Sequence, residues 1–392
     1  VSSMIVLASY LRLTVLVVLL AASPTKTAQF VLMRADADEL ITRGTAHIYN
    51  TRFDSATVCF EKVIALYPEF PAGYFMEAMI DWWRMQIDQR NTSYAEAFLR
   101  KVDKVVEVCD RMLDTNEYDI AGLFFKGGIL GYRGRYYASN SSWLKATNDA
   151  RQALDILIRC NKLAPSNYDI MLGTGIYNYF ADALPNQYPA LKTIMVFLPS
   201  GDKKLGVLQL EAAARNARYA AVEAKVVLQM VYGTQFEKQP SEYLRWSRDL
   251  YMSYPMNAFF HRKYAVALVM NGYSDSADVQ WRSVLDKYKQ KVFGYDAYCA
   301  REALYYLGTF EFNRGNNESA LQFLYKCDEA SRYLDEDPSG FMVRLNMTRG
   351  KIYDLQGRRD LARVQYDKIL SWSDYQNSHA EAQRYKQEPF RR

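Results

Sequence analysis

Three stretches of this 392-residue chain carry a glycine, an alanine about a dozen positions on, and a large apolar residue four positions after that. They are Gly44, Ala56 and Phe60; Gly308, Ala320 and Leu324; and Gly350, Ala362 and Tyr366. Two antiparallel helices approach closely only where one presents a side chain no larger than Gly or Ala and the other places an aromatic ring or Leu in the hollow. Gly308 and Ala320 therefore belong at a helix crossing, with Phe60, Leu324 and Tyr366 filling the groove toward the next pair. Pro68 follows the first copy and cannot continue a helix, so the chain turns there. The third copy has no such proline.

On these residues the chain resembles the tetratricopeptide repeat family, whose unit is a helix-turn-helix of about 34 residues. Leu307, Gly308, Ala320 and Leu324 stand on the family's pattern positions, as do Gly350, Tyr353, Ala362 and Tyr366. The first copy departs from it, with His47 where Tyr is usual and Val63 where Ala is usual. The resemblance implies a right-handed superhelical solenoid whose first helices line a concave groove, and stacks of this kind serve as binding surfaces. In the repeat register the groove-facing residues are Ile41 and Thr45 in the first copy, Tyr305, Thr309 and Phe312 in the seventh, and Arg344, Met347, Lys351 and Asp354 in the eighth. A groove of Tyr, Phe, Arg and Met suits an extended peptide or a helix laid along it. Phe312 and Met347 also suit packing between repeats.

Helical periodicity divides the chain into eight hairpins, over 37–67, 72–114, 119–163, 167–215, 219–254, 257–288, 294–333 and 338–371. Turn signals support the divisions: Tyr67-Pro68, Ala164-Pro165-Ser166-Asn167, Tyr254-Pro255, Asn271-Gly272 and Asp337-Pro338-Ser339-Gly340. No stretch alternates apolar and polar residues as a strand would, so the fold class is all-α. The 49% hydrophobic and 24% charged composition suits a chain with a continuous core. Its 31 tyrosines fit a thin solenoid with few fully enclosed side chains, in which a ring packs between helices while its hydroxyl reaches solvent.

The N-terminus carries an address. Arg12 precedes the apolar run Leu13–Ala22, and Ser23 and Pro24 follow, which is the shape of a secretory signal peptide over residues 1–28. Read from Ile5, the run nears the length needed to cross a bilayer, which would make it an N-terminal membrane anchor, but Arg12 lies in its middle and favours cleavage. The opening Val suits a bacterial source with an alternative start codon, and the expected compartment is the periplasm or cell envelope. The domain plan is then a leader over 1–28, a solenoid over 29–371 and a tail over 372–392. Five cysteines with no close pair make no disulfide framework, and Cys160 and Cys327 fall where the repeat wants a small side chain at a helix contact.

Chemistry is sparse. His47, His261 and His379 lie far apart, no His or Cys pair has metal-ligand spacing, and nothing resembles a nucleophile elbow. No catalytic residue, metal or cofactor is expected. Gly173-Thr174-Gly175 and Gly127-Gly128 follow no strand and lack the Lys-Ser/Thr ending of a phosphate loop, so they read as close helix approaches. Basic residues are scattered and the net charge is +5, which gives no nucleic-acid-binding stripe. Four Asn sequons occur, at Asn91, Asn140, Asn317 and Asn346.

One segment breaks the rhythm. Residues 183–202 form an insertion that is apolar in its second half, read as a short helix packed back on the solenoid, with lipid or partner contact as the alternative. Leu198-Pro199-Ser200-Gly201-Asp202, with Lys204, Gly206 and Leu210, is similar to a helical-repeat family that includes the tetratricopeptide protein 39 group and its fungal inclusion-body relatives. The expected function is an exported, non-enzymatic scaffold that binds another protein or a peptide segment. The alternative is a membrane-anchored surface protein that contacts lipid through residues 183–200.

Overall fold

The computed structural model describes residues 34–88, 91–187, 199–233 and 236–392. The leader over 1–28 and the second half of the insertion, residues 188–198, lie outside the described residues. Among those described there are seventeen helices and no strand. Sixteen pair as eight hairpins: α1 (Asp38–Tyr49) with α2 (Phe53–Leu66), α3 (Ala72–Ile87) with α4 (Ser93–Thr115), α5 (Ile120–Ser139) with α6 (Trp143–Leu163), and α7 (Tyr168–Gln187) with α8 (Lys203–Asn216). The series continues with α9 (Ala221–Tyr232) and α10 (Pro240–Ser253), α11 (Ala258–Met270) and α12 (Ser274–Lys289), α13 (Ala297–Arg314) and α14 (Asn317–Leu334), and α15 (Gly340–Leu355) and α16 (Arg359–Leu370). A seventeenth helix, α17 (Ser378–Gln387), lies in the stretch read as a tail. The helix expected to end near Asp182 runs on to Gln187, with Pro185 in its last turn. A proline that late removes few of the helix's hydrogen bonds.

Local chemistry sets the helix ends. Tyr67, Ala164 and Tyr254, each followed by proline, adopt nearly the same backbone, with φ of −138°, −140° and −137° and ψ of 68°, 66° and 67°. The proline ring clashes with a helical residue before it, so three hairpins stop in the same way. Side-chain caps then restart the helices: Asp119 accepts the Gly122 N–H at 2.8 Å, Asn257 the Phe259 N–H at 3.0 Å, and Asp296 the Cys299 N–H at 3.0 Å. Gly315 closes α13 at φ 86°, a conformation that disfavours any side chain.

The three copies of Gly, Ala and a large apolar residue pack as their spacing requires. A Cβ on Gly44 would lie 2.3 Å from the Phe60 ring, one on Gly308 2.9 Å from Leu324, and one on Gly350 2.4 Å from the Tyr366 ring. Ala56, Ala320 and Ala362 are fully buried at the same crossings. Gly175 meets Leu210, and Gly127 meets Ile156 and Leu157, so these glycines serve helix approach and not a phosphate loop. The fold is all-α and built of tetratricopeptide-like hairpins. Its helices fall into two compact units: Thr92–Leu228 with the chain up to Trp83, and Gln229–Arg392 with Arg84–Asn91.

In the first unit, buried polar groups join elements far apart in sequence. Asp169, itself buried, accepts the N–H groups of Tyr219 and Ala220 at 2.8 Å each and that of Arg218 at 3.4 Å, which caps the start of α9. Arg218 returns to α1 through Asp38, with Nε at 2.6 Å from Oδ1, and this pairing holds the Asp38 carboxyl below its usual range. Glu223 on α9 is 8% exposed and accepts Tyr49 Oη at 3.0 Å and Trp83 Nε1 at 2.8 Å. Burial first, and the Glu223 charge second, push the Tyr132 phenol well above its ordinary pKa. In this unit both ends of α1, at Asp38 and at Tyr49, are held by residues around the start of α9.

In the second unit, one apolar cluster runs from Ala258 through Trp281 and Leu307, and another from Leu304 through Tyr353 and Tyr366 to Ala382. Arg301 is 8% exposed, pairs with Asp335 at 2.6 Å, and lies 4.5 Å from the Phe341 ring centroid. Desolvating a guanidinium is costly unless a carboxylate and a ring face receive it, as here.

Candidate functional site: the face of the seventh and eighth hairpins

Of the nine residues assigned to the groove, Ile41 and Thr45 lie in the first unit and the other seven in the second. Ile41 is fully buried in the core, and Thr45 turns its hydroxyl to the Ile41 carbonyl at 2.7 Å. Met347 is 7% exposed and belongs to the second unit's core. A helix packed on both flanks sinks more of its circumference than the register alone implies. Tyr305 packs edge-on against Phe341 at 5.6 Å, and Thr309 bonds the Tyr305 carbonyl at 2.9 Å. The Arg344 guanidinium lies 5.2 Å from the Tyr375 ring and 5.9 Å from that of Tyr305.

The remaining three, Phe312, Lys351 and Asp354, converge on one object. Past α17 the chain returns across α15 to α13 as a non-helical strap, Glu388–Arg392. Asp354 Oδ2 accepts the Phe390 N–H at 2.9 Å, while its carboxylate also takes Tyr366 Oη at 2.8 Å and pairs with Arg359 at 2.7 Å. The Phe390 ring lies 6.2 Å from Phe312 and 5.4 Å, edge-on, from Tyr385. Lys351 sits 5.5 Å from the Phe390 centroid and 5.1 Å from that of Tyr385, its charge paired with Glu381 at 2.7 Å. Arg392 donates to the Phe312 carbonyl and lies 5.1 Å from the Phe312 ring. That carbonyl is in the last turn of α13, where helix geometry favours a cation.

The strap was missed in the sequence because the tail was assigned no register. Phe390 followed by Arg391 and Arg392 was the available signal, an aromatic residue beside paired charges in a polar stretch.

Elsewhere His261 and the thiols are sealed. His261 is fully buried, with Nδ1 2.9 Å from Tyr295 Oη and Nε2 3.1 Å from Gln280 Oε1, and stacks on Tyr251 at 4.7 Å. Burial, with Lys287 adding to it, lowers its pKa to about 4. All five thiols are free and buried. Burial pushes those of Cys109, Cys160, Cys299 and Cys327 up to about 12. Cys160 and Cys327 lie at helix contacts, with Sγ 3.7 Å from the Ile120 carbonyl and 3.5 Å from the Arg301 carbonyl. The sequon residue Asn346 is 1% exposed, bonded to the Met342 carbonyl at 2.7 Å, so the folded chain does not offer it for modification. Among the described residues no cluster of His, Cys, Asp and Glu is placed to hold a metal ion, and no helix is long and apolar enough to cross a membrane.

No family model matches the sequence, and no curated protein matches it. Among solved structures the chain is similar to the human IFIT1 dimer with PPP-AAAA, at 11% identity over 87% of this chain and 70% of that one, with a TM-score of 0.36. It is similar to yeast Tom70 at 10% identity over 87% and 86%, with a TM-score of 0.38. To the P58(IPK) TPR domain it is similar at 14% identity over 91% and 100%, with a TM-score of 0.27. None of these likenesses bears on what this chain binds.

Proposed function

We propose that this chain is a scaffold without catalytic activity of its own, which binds another protein, in the form of an extended peptide segment, on the face made by α13 and α15. One observation carries the reading: that face holds a non-helical stretch of chain through a main-chain hydrogen bond, Phe390 N–H to Asp354, and through ring contacts to Phe312. A carboxylate aimed at a backbone amide, beside an aromatic residue and a lysine, is a general receptor for peptide and not for one buried side chain. The burial of His261 and of all five thiols favours binding over turnover.

The proposal extends to location. The apolar run after Arg12 supports export, with the periplasm or cell envelope as the destination, whether the leader is removed or kept as an anchor. N-terminal sequencing of the chain purified from its source, with fractionation, tests this: chain recovered from the cytosolic fraction with the apolar run after Arg12 still in place rules it out.

Binding is tested on a peptide array probed with the chain and with its Lys351→Glu variant, each first shown to be folded by circular dichroism. The expected result is a set of peptides held by the first and lost by the second. An array that captures nothing, or a set indifferent to Lys351, refutes the assignment of this face.

A further inference from the structure

We infer that the strap is a built-in competitor: the face of α13 and α15 takes a partner segment with an aromatic residue followed by basic ones, and Phe390-Arg391-Arg392 occupies it in cis until such a segment displaces it. This deepens the scaffold reading and rests on it.

The contacts define the chemistry of the occupant. Its aromatic ring sits among Phe312, Tyr385 and the Lys351 ammonium, the arrangement in which ring faces and edges are both used. Its amide donates to Asp354, which fixes where the chain runs. Two positions on, its guanidinium meets the Phe312 ring and the C-terminal turn of α13, where an acidic or neutral residue would meet the negative end of the helix dipole. A displacing segment must reproduce ring, amide and cation in that order.

The strap is also held weakly enough to leave. Arg391 and Arg392 are exposed and Phe390 is only half-buried, while Asp354 keeps Arg359 and Tyr366 as partners when the Phe390 amide departs. Release therefore leaves the buried Asp354 carboxylate still paired. Because α17 tethers it, the strap acts at the millimolar effective concentration typical of a short linker. A free peptide of the same sequence must compete with that concentration.

The test is fluorescence anisotropy with a labelled synthetic peptide of residues Lys386–Arg392, titrated with the full chain and with the full-length Phe390→Ala/Arg392→Ala variant, both first checked by circular dichroism. The unlatched variant is expected to bind at least tenfold more tightly than the unaltered chain, and Lys351→Glu added to it is expected to abolish the gain. A peptide in which the aromatic residue and the two arginines are replaced by Ala is expected not to bind. Equal affinity for both chains overturns the competitor. If the unlatched variant ignores this peptide but retains Lys351-dependent array binding, the inference fails and the scaffold reading stands; loss of both ends both. Should sedimentation show that the unaltered chain dimerises and the double variant does not, the strap serves a second copy, and the partner-segment assignment is overturned.

Discussion

A methyl group on Gly350 would sit 2.4 Å from the ring of Tyr366. The ring cannot step aside easily, because its hydroxyl is bonded to Asp354 and Tyr385 packs 5.9 Å away. Gly350→Ala is therefore expected to destabilise the second unit despite the better helix propensity of alanine. Overpacking costs about 1–3 kcal/mol and the propensity gain returns at most about 1 kcal/mol, leaving a net loss of up to about 2 kcal/mol. Urea unfolding checks it, and Gly350→Ala with Tyr366→Leu should lose less than the two singles added together. A Gly350→Ala chain at least as stable as the parent contradicts the packing argument.

Glu223 receives donors from α1 and α3 through Tyr49 and Trp83, 174 and 140 residues away in sequence. Replacing it by Leu leaves buried donors without an acceptor, expected to cost about 3 kcal/mol, while Gln keeps one oxygen and costs about 1 kcal/mol. Thermal unfolding of the two variants checks the order. Leu as stable as Gln would mean that the carboxylate organises nothing.

His261 gives a pH dependence of defined sign. Its folded pKa, about 4, lies below the ordinary 6.5, so the fold favours the neutral ring. The stabilisation is present above pH 6.5 and is lost as pH falls toward 4, by an amount on the order of 3 kcal/mol. Urea midpoints measured at several pH values in that window should fall more steeply for the parent than for His261→Gln. Parallel curves would show that the buried ring does not titrate as described.

The cysteines should be silent in the folded chain. With Cys109, Cys160, Cys299 and Cys327 raised to about 12 and all five buried, a thiol reagent at pH 8 is expected to label the native chain at the rate of its opening and the urea-unfolded chain at once. Mass spectrometry counts the adducts. Rapid native labelling at any of those four would show a more open helix contact there.

All eight hairpins were legible in sequence because their causes are local. A small residue opposite a large apolar side chain, as at Gly308 and Leu324, and a residue forced extended before proline, as at Tyr254, act over a few turns of chain and leave a periodic trace. How deeply each residue of that register is buried was not legible. The register brought Phe312, Lys351 and Asp354 to one place, yet Ile41 and Met347, of the same register class, lie in the cores. Register fixes direction around one helix, whereas depth depends on what packs alongside.

The sequence by itself determined that this chain is a run of helical hairpins, where each one turns, and which glycines let the helices close. Only the tertiary structure decided that Glu223 and Asp169 tie distant helices together, that α17 exists, and that the strap fills the face of α13 and α15. The reason is physical: helix period and turn chemistry are written between neighbours. Pairing a buried carboxylate with donors well over a hundred residues away, or laying Phe390 against Phe312, is settled by which surfaces meet once the hairpins have stacked.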